Sequence, residues 1–321
     1  MNFQSLPYVE QVQVLLDKAF SRARKRAGQL SGSVTKKTDK VLLKKKICHE
    51  KITMVRNVLV RDLQKIIAAY PDFTGLPEFY EQLAKTRLDI DVVKRSLGRI
   101  QGVVGQLQVL GDKAQRQVRE QHDLKAASKA VDAYYGRVSS LFKRLEKTFA
   151  TIEHARKVLV TFPALKEELC TIALAGFPNV GKSTLLSRIT TSKPKIANYA
   201  FTTKTLNVGY YEQGYERFQV VDTPGTLARF ERMNAIEQQA YLCLKYAAHL
   251  IVVIIDPTET YSLEEQERLL EQVRKHDKPV IIYASKTDVV DKKTTKALRE
   301  KHGAITSLRH LKRAIKEQLD D

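Results

Sequence analysis

A glycine-rich segment in the second half of the chain has the residue types and spacing of a phosphate-binding loop. Residues 176–184 read Gly-Phe-Pro-Asn-Val-Gly-Lys-Ser-Thr and follow the short apolar run 172–175. The run predicts a buried strand, the two glycines let backbone N–H groups turn toward an anion, and a helix opening at Thr184 points its N-terminus at that anion. The alternative is a glycine-rich turn. We expect nucleotide contacts from the whole loop: Phe177, Pro178, Asn179, Val180, Gly181, Lys182, Ser183 and Thr184.

Two further segments would complete a site for phosphate and magnesium. The Asp222-Thr-Pro-Gly225 turn follows an apolar strand, where Asp222 would hold Mg²⁺ and the Gly225 N–H would sense the γ-phosphate. The alternative is a simple Asp–Pro–Gly turn. Residues 199–204, Tyr-Ala-Phe-Thr-Thr-Lys, suit a switch in which Thr203 closes over the metal, with Thr202 the less favoured ligand. The predicted metal ligands are Ser183, Thr203 and Asp222, and the predicted catalytic residues are Lys182, Thr203 and Gly225.

The segment Ser285-Lys286-Thr287-Asp288 predicts which base is bound. A carboxylate accepts two hydrogen bonds from N1 and N2 of guanine and finds no comparable pair on adenine, so Asp288 would select GTP and GDP. Lys286 would lay its stem over the base, and Ser285 begins the segment. A surface turn is the alternative. A last loop at 304–308 is expected to pass the base edge, with Ser307 as the contact.

Periodicity predicts the elements that position these residues. From residue 169, short apolar runs at 218–222, 250–256 and 279–284 alternate with helical stretches near 233–248, 262–276, 292–301 and 308–318. Such alternation is typical of a mostly parallel sheet covered by helices, with ligands at the carboxyl ends of the strands. Before it, apolar stripes at steps of three and four residues predict a bundle, with helices over 9–20, from about 39, over 93–107 and from 124 until Pro163. The predicted fold is an α-helical bundle (1–162) followed by an α/β P-loop GTPase domain (163–321).

Charge is distributed unevenly along the chain. Residues 1–160 contain 31 Lys and Arg against 16 Asp and Glu, whereas residues 161–321 contain 24 against 20. Twelve basic and two acidic residues lie between Arg22 and Arg56. A polyanion is the expected partner, and a merely solvated basic face is the alternative. The three cysteines predict neither a disulfide framework nor a zinc site, and no stretch suggests a membrane span or a targeting signal.

Taken together, the motifs resemble the nucleolar GTP-binding protein family of Obg-like GTPases. The likeness rests on Gly-Phe-Pro-Asn-Val-Gly-Lys-Ser, Tyr-Ala-Phe-Thr-Thr-Lys, Val-Val-Asp-Thr-Pro-Gly, the helix from Met233 and the amino-terminal segment Pro71-Asp-Phe-Thr-Gly-Leu-Pro-Glu-Phe-Tyr80. The resemblance implies a bundle that docks on ribosomal RNA, a GTPase, and a role in assembling the large ribosomal subunit. The chain ends one helix after the last base-contacting loop, so a short archaeal-type member is expected.

We expect a cytoplasmic, ribosome-associated protein that is monomeric when free and that binds the large-subunit precursor, with no DNA or membrane partner. Two other functions stay open, a signalling GTPase whose bundle binds a protein and a nucleotide-stabilised RNA scaffold with negligible turnover. The residues expected to contact RNA are Arg22, Arg24, Lys25, Arg26, Lys44, Lys45 and Lys46.

Three departures from the family pattern bear on affinity and rate. Ser285 stands where the family usually has Asn or Thr. Thr226 stands where related proteins have an aliphatic residue or a water-positioning Gln. The Gly-x-Gly that usually follows the last base-contacting loop is also missing. Unaided hydrolysis should therefore be slow. In several related GTPases an asparagine placed like Asn179 helps to hold K⁺ beside the phosphates. The alternative is that Asn179 braces the loop by hydrogen bonds.

Overall fold

The computed structural model describes residues 2–32, 39–121, 123–190, 206–224, 234–258 and 261–320. The chain forms two compact units. The helical unit comprises Ser5–Phe73 and Arg87–Val160, and the α/β unit comprises Met1–Gln4, Thr74–Thr86 and Thr161–Asp321. In the described part of the chain, no helix is both long enough and apolar enough to cross a bilayer.

The helical unit contains α1 (Val12–Gly32), α2 (Lys40–Ala69), α4 (Ile90–Glu120), α5 (Leu124–Lys143) and α6 (Glu146–Leu159), and α3 (Glu78–Arg87) lies between α2 and α4 in the chain. Aspartate side chains at 39, 89 and 123 cap α2, α4 and α5 by accepting hydrogen bonds from N–H groups of the first turn. The predicted apolar stripes form the core, with Ile52, Ile100 and Val138 fully buried.

Two helix assignments from the sequence were wrong. A short helix, α3, was not predicted, because its ten residues carry too few turns for a periodic stripe to stand out. The single predicted helix from 124 to Pro163 is in fact α5 and α6, which a turn at Arg144 and Leu145 separates. Leu145 is buried, so the apolar spacing continues through the turn and hides it.

The α/β unit contains a five-stranded sheet in the order β2-β3-β1-β4-β5. Its strands are β1 (Cys170–Ala175), β2 (Asn207–Gln213), β3 (Glu216–Asp222), β4 (Leu250–Ile255) and β5 (Val280–Ala284). All pairs are parallel except β2 with β3, and Ile172 lies opposite both Val220 and Leu250. The mostly parallel sheet is confirmed, whereas β2 was not predicted, because Asn207–Gln213 is polar and only partly buried.

Helices and loops complete this unit. They are α7 (Lys182–Ile189), α8 (Ala235–Leu242) with a π-helical turn (Cys243–Ala247), α9 (Leu263–Arg274), α10 (Lys292–His302) and α11 (Leu308–Asp320). Ile305 forms a parallel bridge to Tyr283 of β5, so the 304–307 segment extends the sheet edge next to β5.

The compact units are not contiguous in sequence, unlike the predicted 1–162 and 163–321 division. The Tyr80 hydroxyl, on α3, donates to the carbonyl oxygen of Pro163 at 2.9 Å and accepts from the N–H of Leu165 at 2.8 Å. Phe3 packs edge-on against Tyr80 and Phe162, with ring centroids 5.4 and 5.8 Å away. Residues near the amino terminus and α3 therefore belong by packing to the α/β unit.

Candidate nucleotide-binding site

The loop that joins β1 to α7 has a backbone that few side chains would permit. Gly176 has φ 153°, and a methyl group there would approach the carbonyl oxygen of Ile254 to 2.8 Å. Gly181 has φ 98° and caps α7. Asn179 is left-handed too, with φ 63°, and asparagine tolerates this conformation better than most residues. The loop backbone therefore turns at three positions before α7 begins at Lys182, two residues earlier than predicted.

Lys182 is buried at the start of α7. Its ammonium donates to the carbonyl oxygens of Gly176 and Phe177 at 3.0 and 2.6 Å. Burial lowers the pKa of Lys182 to about 8, against the opposing attraction of Asp222. Among the described residues, the hydrogen-bond acceptors of this desolvated ammonium are two neutral carbonyls, so an approaching polyphosphate would stabilise its charge strongly. The geometry thus suits a lysine whose charge is completed by an anionic ligand.

Ser183 and Asp222 lie together although 39 residues separate them. The Ser183 hydroxyl donates to Asp222 Oδ2 at 2.6 Å. Asp222 Oδ1 is buried and meets no hydrogen-bond donor among the described residues. Mg²⁺ prefers such hard oxygen ligands, so the oxygens of Ser183 and Asp222 fit a magnesium ion shared with bound phosphates. Thr202, Thr203 and Gly225, the other predicted ligands and catalytic residues, lie outside the described residues, as does Thr226.

The sheet holds Asp222 in register at the end of β3. Thr223, the next residue, donates from its hydroxyl and its N–H to the carbonyl oxygen of Leu174 on β1, at 2.7 and 3.3 Å. Asn207 at the start of β2 donates to Asp222 Oδ2 at 3.4 Å. Sequence reasoning did not single out Asn207, because its strand was not predicted.

The predicted base-reading segment begins at the carboxyl end of β5. The Ser285 hydroxyl donates to the carbonyl oxygen of Val180 at 2.7 Å, so this shorter residue does brace the phosphate-binding loop. Asp288 is exposed two residues beyond Lys286. Ser307 is half-buried, and its carbonyl accepts from the N–H of Leu311 as α11 begins. The bridge at Ile305 brings the Ser307 loop to the same sheet edge.

One charged partner of this segment was missed from the sequence. Lys286, at φ 49°, donates to Asp256 Oδ2 at 2.6 Å, and Asp256 is almost fully buried. Burial alone would raise the pKa of Asp256, but hydrogen bonds from Lys286 and Thr258 hold that pKa below its usual value. The available signal was an aspartate directly after the apolar run 250–255, where strand ends meet ligands.

Gln266 holds the backbone at both Asp256 and Tyr261. The amide of Gln266 accepts from the Asp256 N–H at 2.8 Å and donates to the carbonyl oxygens of Asp256 and Tyr261, both at 2.9 Å. The ring of Tyr261 stacks on Phe177 of the phosphate-binding loop, with centroids 4.5 Å apart. Gln266 thus links Asp256, the partner of Lys286, to Tyr261, the partner of the phosphate-binding loop.

Sequence comparison defines the class of this α/β unit. Residues 171–286 match the family described as 50S ribosome-binding GTPase, and the chain is a P-loop GTPase of the kind that binds GTP and GDP, typically with Mg²⁺. Residues 3–165 match the family described as the NOG1 N-terminal helical domain. The chain belongs to the nucleolar GTP-binding protein family.

Similar proteins cover the chain to different extents. A protein of Methanocaldococcus jannaschii, described as uncharacterised, is 35% identical over 92% of this chain and 85% of its own length. Nucleolar GTP-binding protein 1 of Caenorhabditis elegans is 29% identical over 90% of this chain, but the alignment covers only 42% of that protein. The chain thus spans less than half of this eukaryotic relative. The G domain of the T. maritima FeoB iron transporter covers 47% of the chain at 25% identity and a TM-score of 0.40.

Proposed function

We propose that this protein is a GTP-dependent assembly factor of the large ribosomal subunit that binds ribosomal RNA through its helical unit. The observation that carries the proposal is the combination, in one chain, of a unit matching a 50S ribosome-binding GTPase and a strongly basic helical unit. Its relatives named for the nucleolus, where ribosomes are assembled, support the same role. In this role the protein is cytoplasmic, ribosome-associated and monomeric when free, and it uses Mg²⁺.

The two predicted basic clusters are neighbours in the helical unit. The first, Arg22 to Arg26, lies on α1 and the second, Lys44 to Lys46, in the first turns of the next helix, α2. Arg26 of α1 forms an ion pair with Glu50 of α2 at 3.5 Å, so the two helices are in contact near both clusters. We call the seven residues Arg22, Arg24, Lys25, Arg26, Lys44, Lys45 and Lys46 the basic end.

The basic end has the surface properties of an interface with RNA. All of its side chains except the half-buried Lys45 are exposed. Leu42, one turn before Lys45 and Lys46 on α2, is also exposed. No base-stacking aromatic cluster was found beside these charges in the sequence, so recognition should follow the shape and the backbone of folded RNA.

The test is the salt dependence of RNA binding by the full chain. Replacing the seven residues of the basic end by Gln should weaken binding to large-subunit rRNA and flatten the plot of log affinity against log salt, because each phosphate contact contributes a slope of about −0.9. The full chain is preferable to residues 1–162, since α3 packs with the α/β unit.

A matched control removes seven exposed cations from α5, α6 and the turn between them: Lys125, Lys129, Arg137, Lys143, Arg144, Lys147 and Lys157. Equal loss of slope in both variants would refute a localised RNA site and favour a protein partner for the helical unit. Turnover is measured separately as multiple-turnover phosphate release with GTP and Mg²⁺. Release that stays undetectable with and without ribosomal particles would favour a nucleotide-stabilised RNA scaffold.

A further inference from the structure

The α/β unit has a basic region of its own, although its total charge is modest. Residues 161–321 contain only four more basic than acidic residues, yet residues 286–316 alone contain ten Lys and Arg against three Asp and Glu. The excess therefore falls on α10, α11 and the loops beside them. Their charge is independent of the basic end, which lies in the other unit.

On α11 the cations form one stripe. Arg309, Lys312, Arg313 and Lys316 follow at i, i+3, i+4 and i+7, which places them on one side of the helix. Leu311 and Ile315 on the adjacent side are fully buried, so the helix is firmly packed. Among the described residues, the acidic partner of this stripe is Glu317, which pairs with Arg313 at 2.7 Å. The stripe spans about 10 Å, the axial length of about three stacked nucleotides.

The stripe lines one side of an open groove, through Arg309, Lys312 and Arg313. The other side is strand β2, through Tyr211, Glu212 and Gln213, and the groove has a volume of about 600 Å³. The Lys312 ammonium lies 5.1 Å from the ring centroid of Tyr211, and Glu212 is engaged by Arg217 at 3.5 Å. The negative charge on the strand wall is therefore partly neutralised, which leaves the groove favourable for an anion.

An exposed aromatic ring follows the strand wall of the groove in sequence. Tyr215 lies in the β2–β3 turn, two residues from Gln213, and its side chain is fully exposed. Gly214 supplies the left-handed backbone of that turn, with φ 64°. A fully exposed tyrosine loses no packing when a base stacks on it. Cations along a groove together with such a ring are the usual features of single-strand recognition.

We propose that the groove between α11 and β2 binds an unpaired segment of RNA, with phosphates on the α11 stripe and a base on Tyr215. The choice of RNA rests on the proposed function, but the site is separate from the basic end. Single-stranded RNA fits better than a duplex, because a paired base cannot reach Tyr215 without leaving its stack.

The first experiment compares two triple variants of the full chain. One replaces Arg309, Lys312 and Lys316 by Gln. The control removes the same number of charges, from the exposed Lys292, Lys293 and Lys296 of α10. The probe is a fluorescent 12-nucleotide single-stranded RNA, with a hairpin duplex of the same length beside it. The α11 variant should bind the single strand about tenfold more weakly, with the salt slope reduced by about 2, since single strands contribute about −0.7 per phosphate. GDP affinity should be unchanged in both.

The second experiment tests the aromatic contact. Tyr215→Ala should weaken binding of the single strand by at least about fivefold, whereas Tyr215→Phe should keep it, because stacking needs the ring and not the hydroxyl. Binding of the duplex should change in neither variant. Equal effects of Ala and Phe, or equal losses in the α10 and α11 variants, would overturn the proposal. Tighter binding of an acidic peptide than of RNA would overturn it in favour of a protein partner.

The two proposals fail in different ways. If the basic-end variant loses rRNA binding while the α11 variant keeps single-strand affinity, the groove proposal is wrong and the proposed function stands. If the α11 variant loses single-strand binding while the basic-end variant behaves like the unmodified protein, the helical unit is not the RNA-binding part. The groove proposal then stands without the proposed role of the basic end.

Discussion

The nucleotide site and the basic end would both bind phosphate, but the chain builds them in opposite ways. At the nucleotide site the predicted ligand groups are backbone N–H groups and one buried lysine, in a loop where even an added methyl at Gly176 has no room. At the basic end the groups are side chains of two helices, all exposed except the half-buried Lys45. One substitution at the nucleotide site should therefore abolish most of the nucleotide affinity. Substitutions at the basic end, where the charge is distributed, should each lower the RNA affinity by a small step.

The same substitution made once in each region tests this contrast most directly. Lys182→Ala should weaken GDP binding by about a hundredfold or more, equivalent to about 2.7 kcal/mol, because the buried positive charge beside the phosphates is lost. Lys25→Ala should change GDP binding less than twofold and should lower the salt slope for RNA by about 0.9. Fluorescent-nucleotide titration and RNA titration measure the two effects. A large loss of RNA affinity on removing Lys25 alone would contradict the distributed surface.

A second substitution tests whether a single carboxylate sets base selectivity. In the unmodified protein GTP and GDP should bind while ATP competes poorly. Asp288→Asn should weaken GDP binding by about thirtyfold, since an amide cannot accept both guanine hydrogen bonds. The variant should bind xanthosine diphosphate better, because its amide N–H can donate to the additional carbonyl of xanthine. Competition titrations with GTP, GDP, ATP and xanthosine diphosphate measure this selectivity. Equal competition by ATP in the unmodified protein would show that Asp288 does not read guanine.

The protonation of Lys182 should make nucleotide binding depend on pH. The pKa of Lys182 in the free protein is lowered to about 8, so this lysine is charged below pH 8 and increasingly neutral above it. Bound phosphates raise that pKa, because they favour the charged ammonium. GDP affinity should therefore fall by up to about tenfold per pH unit above pH 8 and stay constant below pH 7.5. Calorimetry should also detect proton uptake on binding near pH 8.5. A flat affinity up to pH 9.5 would mean that Lys182 keeps its proton without a ligand.

What the sequence predicts well in this chain are features that depend on neighbouring residues. The strand-loop-helix at 170–189, the aspartate ending β3 and the bundle stripes follow from local spacing. The sequence missed β2, which has no apolar alternation, and α3, whose ten residues are too few for a periodic stripe to stand out. It also missed the pairing of Asp256 with Lys286, because thirty residues separate them and only the parallel arrangement of β4 and β5 brings their ends together.

The ion pair between Asp256 and Lys286 should have a smaller effect on nucleotide binding. Asp256→Asn should weaken GDP and inosine diphosphate equally, by about fivefold, because Lys286 loses the partner that holds its stem for the base while Asp288 still reads guanine. A matched control is Gln266→Leu, which breaks the loop anchors but keeps the ion pair. If the control weakens both nucleotides as much as Asp256→Asn, the loop conformation matters rather than the charge. A change in the ratio of the two nucleotides would contradict a pure positioning role.

The smallest expected effect concerns the role of Asn179 in hydrolysis. Its left-handed backbone, with φ 63°, gives a conformational reason for asparagine here, so Asn179→Ala would combine side-chain loss with backbone strain. Asn179→Gly removes the same side chain and keeps the backbone. If the side chain helps to hold K⁺ beside the phosphates, the unmodified protein should turn over about threefold faster in potassium than in sodium, and the glycine variant should lose that difference while binding GDP within twofold. If both salts give equal rates in the unmodified protein and ribosomal particles still accelerate turnover, Asn179 only braces the loop and the ribosome supplies the activating group.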